Sequence, residues 1–260
     1  LDINDLKNLL DKKVKLVCFP HCSNIVGEIN PVKEIVKLVR DAGAYSCVDG
    51  VSYAPHGFPN IGDLQPDVYL FSSYKTYGPH QGIMVLSEKL NRDLPNQAHY
   101  FNSDYPTRRF TPAGPDHAQI AACAGMADYF DLLHDHHFAS ESNAAKRGEA
   151  VHDLLRNHEV NLLQPLLDNL SSRNSVRLLG PDDAKKRAPT VAVEISSNAF
   201  EVAKALSKEG INAGGGDFYA VRLLDALGVD RDKGALRLSF VHYTSQEEVT
   251  HLINSLDKVL

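Results

Sequence analysis

The stretch Phe71-Ser72-Ser73-Tyr74-Lys75-Thr76-Tyr77-Gly78-Pro79-His80-Gln81-Gly82 decides how this chain is read, because its lysine follows an apolar strand and precedes a glycine and proline turn. The strand behind it reads Val68-Tyr69-Leu70-Phe71. A second strand upstream, Tyr45-Ser46-Cys47-Val48, delivers Asp49 at its own carboxyl end. In open parallel sheets, ligands collect in the crevice outside those strand ends. One amine and one carboxylate are therefore expected there, and a lysine so held can form an imine with an aldehyde cofactor.

Pyridoxal phosphate uses both groups. Its aldehyde condenses with a lysine amine, and its pyridine nitrogen stays protonated for the ring to accept electrons, which a facing carboxylate enforces. A lysine is a poor nucleophile at its unperturbed pKa of about 10.4, so burial or a nearby cation is expected at Lys75. Taken singly, a lysine in a turn and an Asp-Gly pair are ordinary features of solvated loops. Taken together, with their flanking sequence, they point to the cofactor.

The chain has 260 residues, 43% of them hydrophobic, which is enough for one large domain or two ordinary ones. Its formal charge is -6, and Lys185-Lys186-Arg187 is the one basic block, so no footprint for nucleic acid is expected. Cys18, Cys22, Cys47 and Cys123 lie in or beside apolar segments without zinc spacing, and read as reduced thiols. The segment Leu1 to Lys7 carries acids where a signal peptide carries bases. No run approaches the ~18 apolar residues of a membrane span. A cytoplasmic protein without a membrane partner is the expectation. A chain opening on Leu1 is also expected to be a fragment, or to be numbered from inside a longer protein.

Along the chain, Val14 to Phe19 reads as a strand ending at Pro20. Asn30 is expected to cap a helix with Pro31 at its first position, and Val32, Ile35, Val36 and Val39 form its apolar stripe before Gly43 stops it. Strands follow at Tyr45 to Val48, Val68 to Phe71 and Gly82 to Leu86. The last comes too soon after its predecessor for a helical crossover, so it is expected to be antiparallel. The alternation implies an α/β sheet covered on both faces. Residues 117–158 suggest one or two long helices. Beyond them come a strand at Thr190 to Ile195, a helix opened by Asn198 with Glu201 at capping-box spacing and closed by Gly210, a strand at Leu236 to Val241, and a final helix opened by the box Ser245 to Glu248. Val249, Leu252, Ile253, Leu256 and Val259 give that helix an apolar face.

With these residues in view, the chain resembles the class V aminotransferase superfamily of pyridoxal-phosphate enzymes, and within it the cysteine-desulfurase-like branch. The matching stretches run from His21 to Val32, Val48-Asp49-Gly50, Ser72 to Pro79, and Leu236 to Phe240. The resemblance implies a fold-type-I architecture: a partial large α/β domain with a mainly parallel sheet over residues 1–130, and a small C-terminal α+β domain with its linking helices over 131–260. It implies that Lys75 forms the Schiff base and shuttles the Cα proton, and that Asp49 pairs with the pyridine nitrogen. Asn24 would lie near the ring hydroxyl, with Ser52 standing where many desulfurases carry a glutamine. Ser72 and Tyr74 would donate to the phosphate, and Arg237 would bind the substrate carboxylate through its planar fork. An amino acid substrate, pyridoxal 5'-phosphate and a homodimer follow from the same resemblance.

Three departures bear on the reading. The segment Gly214 to Arg222 contains no cysteine where desulfurases hold their nucleophile, which argues against a persulfide route. The family's N-terminal portion, with its phosphate-binding turn and ring-stacking residue, is absent from this sequence. Phe110 to Pro115 carries Gly114 where relatives place a threonine, leaving Thr111 or a backbone amide as the substitute. An inactive relic or assembly subunit of the same fold, binding no cofactor by itself, is the alternative. His134-Asp135-His136-His137 points in several directions around a helix and does not read as a metal site. Gly214-Gly215-Gly216 lacks a P-loop lysine and reads as a flexible turn. His56 reads equally as a residue near the substrate or a loop histidine.

Overall fold

The structure is a computed structural model describing residues 1–111 and 113–260. Pro112, inside the segment Phe110 to Pro115, lies outside the described residues. Packing divides the chain into two units, one of Leu1–His21 with Asn30–Val151 and another of Cys22–Ile29 with His152–Leu260.

In the first unit, the elements in order are α1 (Ile3–Leu9), β1 (Leu16–Pro20), α2 (Val32–Asp41), β2 (Tyr45–Asp49), α3 (Ile61–Leu64), β3 (Val68–Ser72), β4 (Gly82–Leu86), α4 (Glu88–Asp93), α5 (His117–Ala122) and α6 (Ala124–His137). The sheet order is β1-β2-β3-β4. The first three strands are parallel, and β4 is antiparallel to β3, as the short connection predicts. β1 starts later than Val14 because the Asp11 carboxylate accepts from the amides of Lys13 and Val14, holding them in a turn.

α2 buries Val32, Ile35, Val36 and Val39 against Phe19, Val48, Tyr69 and Phe71 of the strands. Its cap differs from expectation. Pro31 stands at the N-cap position without a side-chain bond, and the Asn30 amide instead donates to the Pro20 carbonyl at 2.8 Å. The sheet is covered on one face, whereas both were expected. Right-handed crossovers that advance in one direction put α2 and α3 on the same side. On the opposite face Leu16 and Met84 stay 53% and 45% exposed.

The helical stretch holds three helices rather than one or two, the third being α7 (Ala144–Ser171). Asn143 accepts from the Lys146 amide and restarts the helix after the loop, a local signal that composition does not carry.

In the second unit, β5 (Val176–Leu179), β6 (Thr190–Ile195), α8 (Ala199–Lys208), β7 (Gly214–Gly216), α9 (Val221–Ala226), β8 (Ala235–Ser239) and α10 (Gln246–Val259) follow. The sheet is antiparallel, in the order β5-β6-β8-β7. Leu163, Leu166, Leu167 and Leu170 of α7 pack on Val191 and Val193 of the sheet, on Leu206 of α8 and on Leu256 of α10. The Ser245 box forms in both directions. At α8 the Asn198 side chain accepts from the amides of Phe200 and Glu201. The triple glycine forms the edge strand β7 instead of a free turn. A side chain at Gly215 would stand 2.3 Å from the Ala199 backbone, so only glycine lets β7 lie against the start of α8. The strand expected to run to Val241 ends at Ser239, and the next amide, of Phe240, donates to the Pro189 carbonyl.

Candidate active site

Asp49 is the last residue of β2 and stands in register with Leu70 of the parallel neighbour β3. Beyond β3 the chain enters a 3₁₀ turn, Ser73–Lys75. Lys75 and Asp49 thus leave the same carboxyl edge of the sheet from adjacent strands. Tyr77 joins their loops: its hydroxyl donates to the Pro55 carbonyl at 2.6 Å, with its own backbone in the left-handed region at φ 65°. Buried Ser73 pins the turn: its amide donates to the Gln81 carbonyl, and its hydroxyl lies within bonding distance of the Pro79 and Gln81 carbonyls.

Neither functional group is spent on an ion pair among the described residues. The Asp49 carboxylate accepts from the Val51 amide at 2.9 Å. The Lys75 ammonium lies 5.9 Å from the centre of the Tyr74 ring. Lys75 is exposed, so the burial that the sequence reading asked of it is not supplied by these residues. Ser73 and Thr76 on either side of it are buried, so the turn is packed while the lysine side chain faces outward.

A buried cluster supports Asp49. His21 donates its amide to the Asp49 carbonyl at 2.7 Å, stacks on Tyr53 at 3.8 Å between ring centres, and places Nδ1 2.9 Å from the Tyr69 hydroxyl. Tyr69 fills the space a side chain at position 50 would need. The Asp-Gly pair is therefore glycine for close approach of a ring, which its turn chemistry alone does not reveal. This cluster was missed from the sequence, because His21 follows β1, Tyr53 lies in the turn after β2 and Tyr69 lies within β3, and only the fold brings them together. His56 is buried in the 3₁₀ turn Ala54–His56.

Ser52 is half-buried in the turn after Asp49. Ser72 closes β3, and its hydroxyl has no hydrogen-bond partner among the described residues. Exposed Tyr74 stacks on His80 with ring centres 5.0 Å apart. These residues share the sheet edge with Asp49 and Lys75.

In the second unit, the turn Cys22–Ile29 carries Asn24. Ser23 accepts from the amides of Ile25 and Val26, and the Cys22 thiol donates to the Gly27 carbonyl at 3.1 Å. Burial pushes the Cys22 thiol up to about 12, partly opposed by a bond from the Ala188 backbone. Arg187, fully buried, donates to the carbonyls of Leu179, Pro181 and Thr190. Desolvation pulls its guanidinium down to about 10. Asn24 itself is exposed, and its carbonyl accepts from Arg237 Nη1 at 3.1 Å.

Arg237 is half-buried on β8 and has no carboxylate partner among the described residues. Its guanidinium carbon lies 4.1 Å from the centre of the Phe218 ring, and burial lowers its pKa from the ordinary arginine value. A guanidinium keeps its charge in proteins and carries five N–H donors in a fixed fork.

The sequence model of the aminotransferase class-V family matches residues 1–104 and 118–252. The chain belongs to the class V aminotransferases. Among curated relatives, the "Aminotransferase-like protein FGM3" of Gibberella zeae is 32% identical over all of this chain and 63% of its own length. The "Cysteine desulfurase-like protein ustD" of Aspergillus flavus is 30% identical over all of this chain and 58% of its own. The chain therefore spans about three fifths of the length of each of these two relatives. The apo cysteine desulfurase of Thermococcus onnurineus NA1 superposes with a TM-score of 0.81 at 24% identity, over 99% of this chain and 62% of that one. This likeness shows the fold, that of the fold-type-I class V enzymes. Among the described residues no helix is long and apolar enough to cross a membrane.

Proposed function

We propose that this class V chain performs pyridoxal 5'-phosphate chemistry on an amino acid, as a transferase or lyase, with Lys75 as the residue that holds the cofactor covalently. The observation that supports it most is the departure of Asp49 and Lys75 from one edge of adjacent parallel strands, neither of them neutralised by an ion pair among the described residues.

The donor set fits that group. Asp49 supplies a carboxylate for a pyridine nitrogen, Lys75 an amine for the aldehyde, and the hydroxyls of Ser72 and Tyr74 donors for the phosphate. Asn24 and Ser52 are assigned to the ring oxygen. When bound, the cofactor supplies an electron sink for a carbanion at the substrate Cα. Lys75 Nζ holds and moves the proton at that carbon. Arg237 orients the substrate through its carboxylate, for which a forked guanidinium is suited.

A persulfide route is not part of the proposal, because Gly214 to Arg222 offers no thiol. A homodimer, and domains of residues 1–130 and 131–260, belong to the proposal through the family resemblance. A second reading, the relic or assembly subunit without cofactor, is favoured by the exposure of both Lys75 and Asp49. Absorbance spectroscopy with added pyridoxal 5'-phosphate separates the two. A visible band that is lost in Lys75→Ala supports the enzyme, and a protein that stays colourless supports the relic.

A further inference from the structure

The turn Asp217 to Ala220 is strained, and its strain serves one contact. Phe218 and Tyr219 are consecutive non-glycine residues in the left-handed region, at φ 52° and 62°. Such a residue is disfavoured for an L side chain and persists only where surrounding structure over-determines it. Asp217 holds the turn twice: its carboxylate accepts from the Tyr219 amide at 2.9 Å and its carbonyl from the Ala220 amide at 2.8 Å. The result is a Phe218 ring with the Arg237 guanidinium carbon over it, 4.1 Å from its centre.

The neighbouring strand is shaped for the same ring. Gly214 of β7 pairs in register with Arg237 of β8. A side chain at Gly214 would stand 2.7 Å from the Phe218 ring, so the bare edge strand is what admits the aromatic to the arginine. With one face under Phe218 and Nη1 bonded to the Asn24 carbonyl, Arg237 has lost its rotamer freedom while keeping donors for an incoming anion.

We propose that Phe218 is a positioning and specificity residue for this arginine: its ring fixes and desolvates the Arg237 guanidinium so that the outer edge is preorganised for the planar carboxylate of a monocarboxylate or amino acid ligand. The proposal rests on the reading of Arg237 as the carboxylate-binding group. Preorganisation removes ordering cost from binding, and the reduced local dielectric strengthens the charge-assisted bonds that form.

The test needs no bound cofactor. Phenylglyoxal labelling of Arg237, read by peptide mass spectrometry, reports the cover over the guanidinium, and protection by propionate reports carboxylate binding. Labelling should be slow in the wild-type chain and about 3- to 30-fold faster in Phe218→Leu, the range expected of a cation–π contact. Phe218→Tyr should restore the slow rate, which a purely space-filling role would not require, since leucine fills much of the same volume. Gly214→Ala should behave as Phe218→Leu with the aromatic still present, and far-UV circular dichroism of each variant checks that it is folded. Propionate should protect the wild-type and Phe218→Tyr proteins at about 3- to 30-fold lower concentration than Phe218→Leu. Equal labelling of folded wild-type and Phe218→Leu proteins would overturn the proposal. Slow labelling that no carboxylate protects would leave the cover intact but refute Arg237 as the carboxylate group.

Discussion

Tyr77 donates its hydroxyl to the Pro55 carbonyl at 2.6 Å, tying the loop that carries Lys75 to the loop that follows Asp49. The bond fixes the spacing of the two groups on which the proposed chemistry depends. Tyr77→Phe should lower stability by about 1 kcal/mol, the worth of one neutral hydrogen bond, and should weaken retention of pyridoxal 5'-phosphate more than this loss explains. Urea unfolding and cofactor release by dialysis measure the two effects separately.

Gly50 is the second constraint on Asp49. A methyl group at this position would stand 2.2 Å from ring carbons of Tyr69, which is buried and cannot retreat. Gly50→Ala should destabilise the chain by about 1–3 kcal/mol, as overpacking does. Gly50→Ala combined with Tyr69→Leu should recover part of the loss, and thermal melts of the three variants test that coupling.

Cys22 gives a pH prediction. Its thiol is 2% exposed and is pushed from 9.0 to about 12 by desolvation. Between these values the unfolded chain releases the proton and the folded chain keeps it, so the unfolded state binds fewer protons and stability falls as pH rises. The contribution is fully present below about pH 9 and is lost toward pH 12, at roughly 1 kcal/mol per pH unit. Cys22→Ala should flatten the alkaline limb of the stability curve by this slope and leave the neutral region's pH dependence unchanged. Denaturant titrations from pH 8 to 10.5 report it.

These features mark the limit of what the sequence discloses. Period and bounding residues carry the strands Tyr45 to Asp49 and Thr190 to Ile195 and the α2 stripe, because each is a local pattern satisfied by burial on one face. The carboxyl-edge location of Asp49 and Lys75 follows from strand order. The role of Asn30 did not follow, since a helix cap and a side-chain bond to the Pro20 carbonyl draw on the same residue type. The β7 glycines read as a turn because their reason, close approach to α8, lies about fifteen residues away in sequence. Nothing local to Cys22–Ile29 tells that this turn packs with residues beyond His152. The Phe218 ring over Arg237 is likewise a tertiary contact.

Arg237 is the substrate-side test of the proposed function. Arg237→Gln should raise KM for the amino acid substrate about 10- to 100-fold with a smaller change in kcat, as expected when a charge-assisted bond to a carboxylate is lost. Arg237→Lys should recover only part of it, because a point charge replaces a fork. A kcat loss with KM unchanged would move Arg237 away from ground-state carboxylate binding.

The most direct measurement is borohydride reduction of the native protein incubated with pyridoxal 5'-phosphate, followed by peptide mass mapping. The account predicts a single stable pyridoxyl adduct on Lys75, within the peptide containing Ser72 to Gly78, and bleaching of the visible band. An adduct on another lysine, or a reduced protein with no adduct at all, would contradict it.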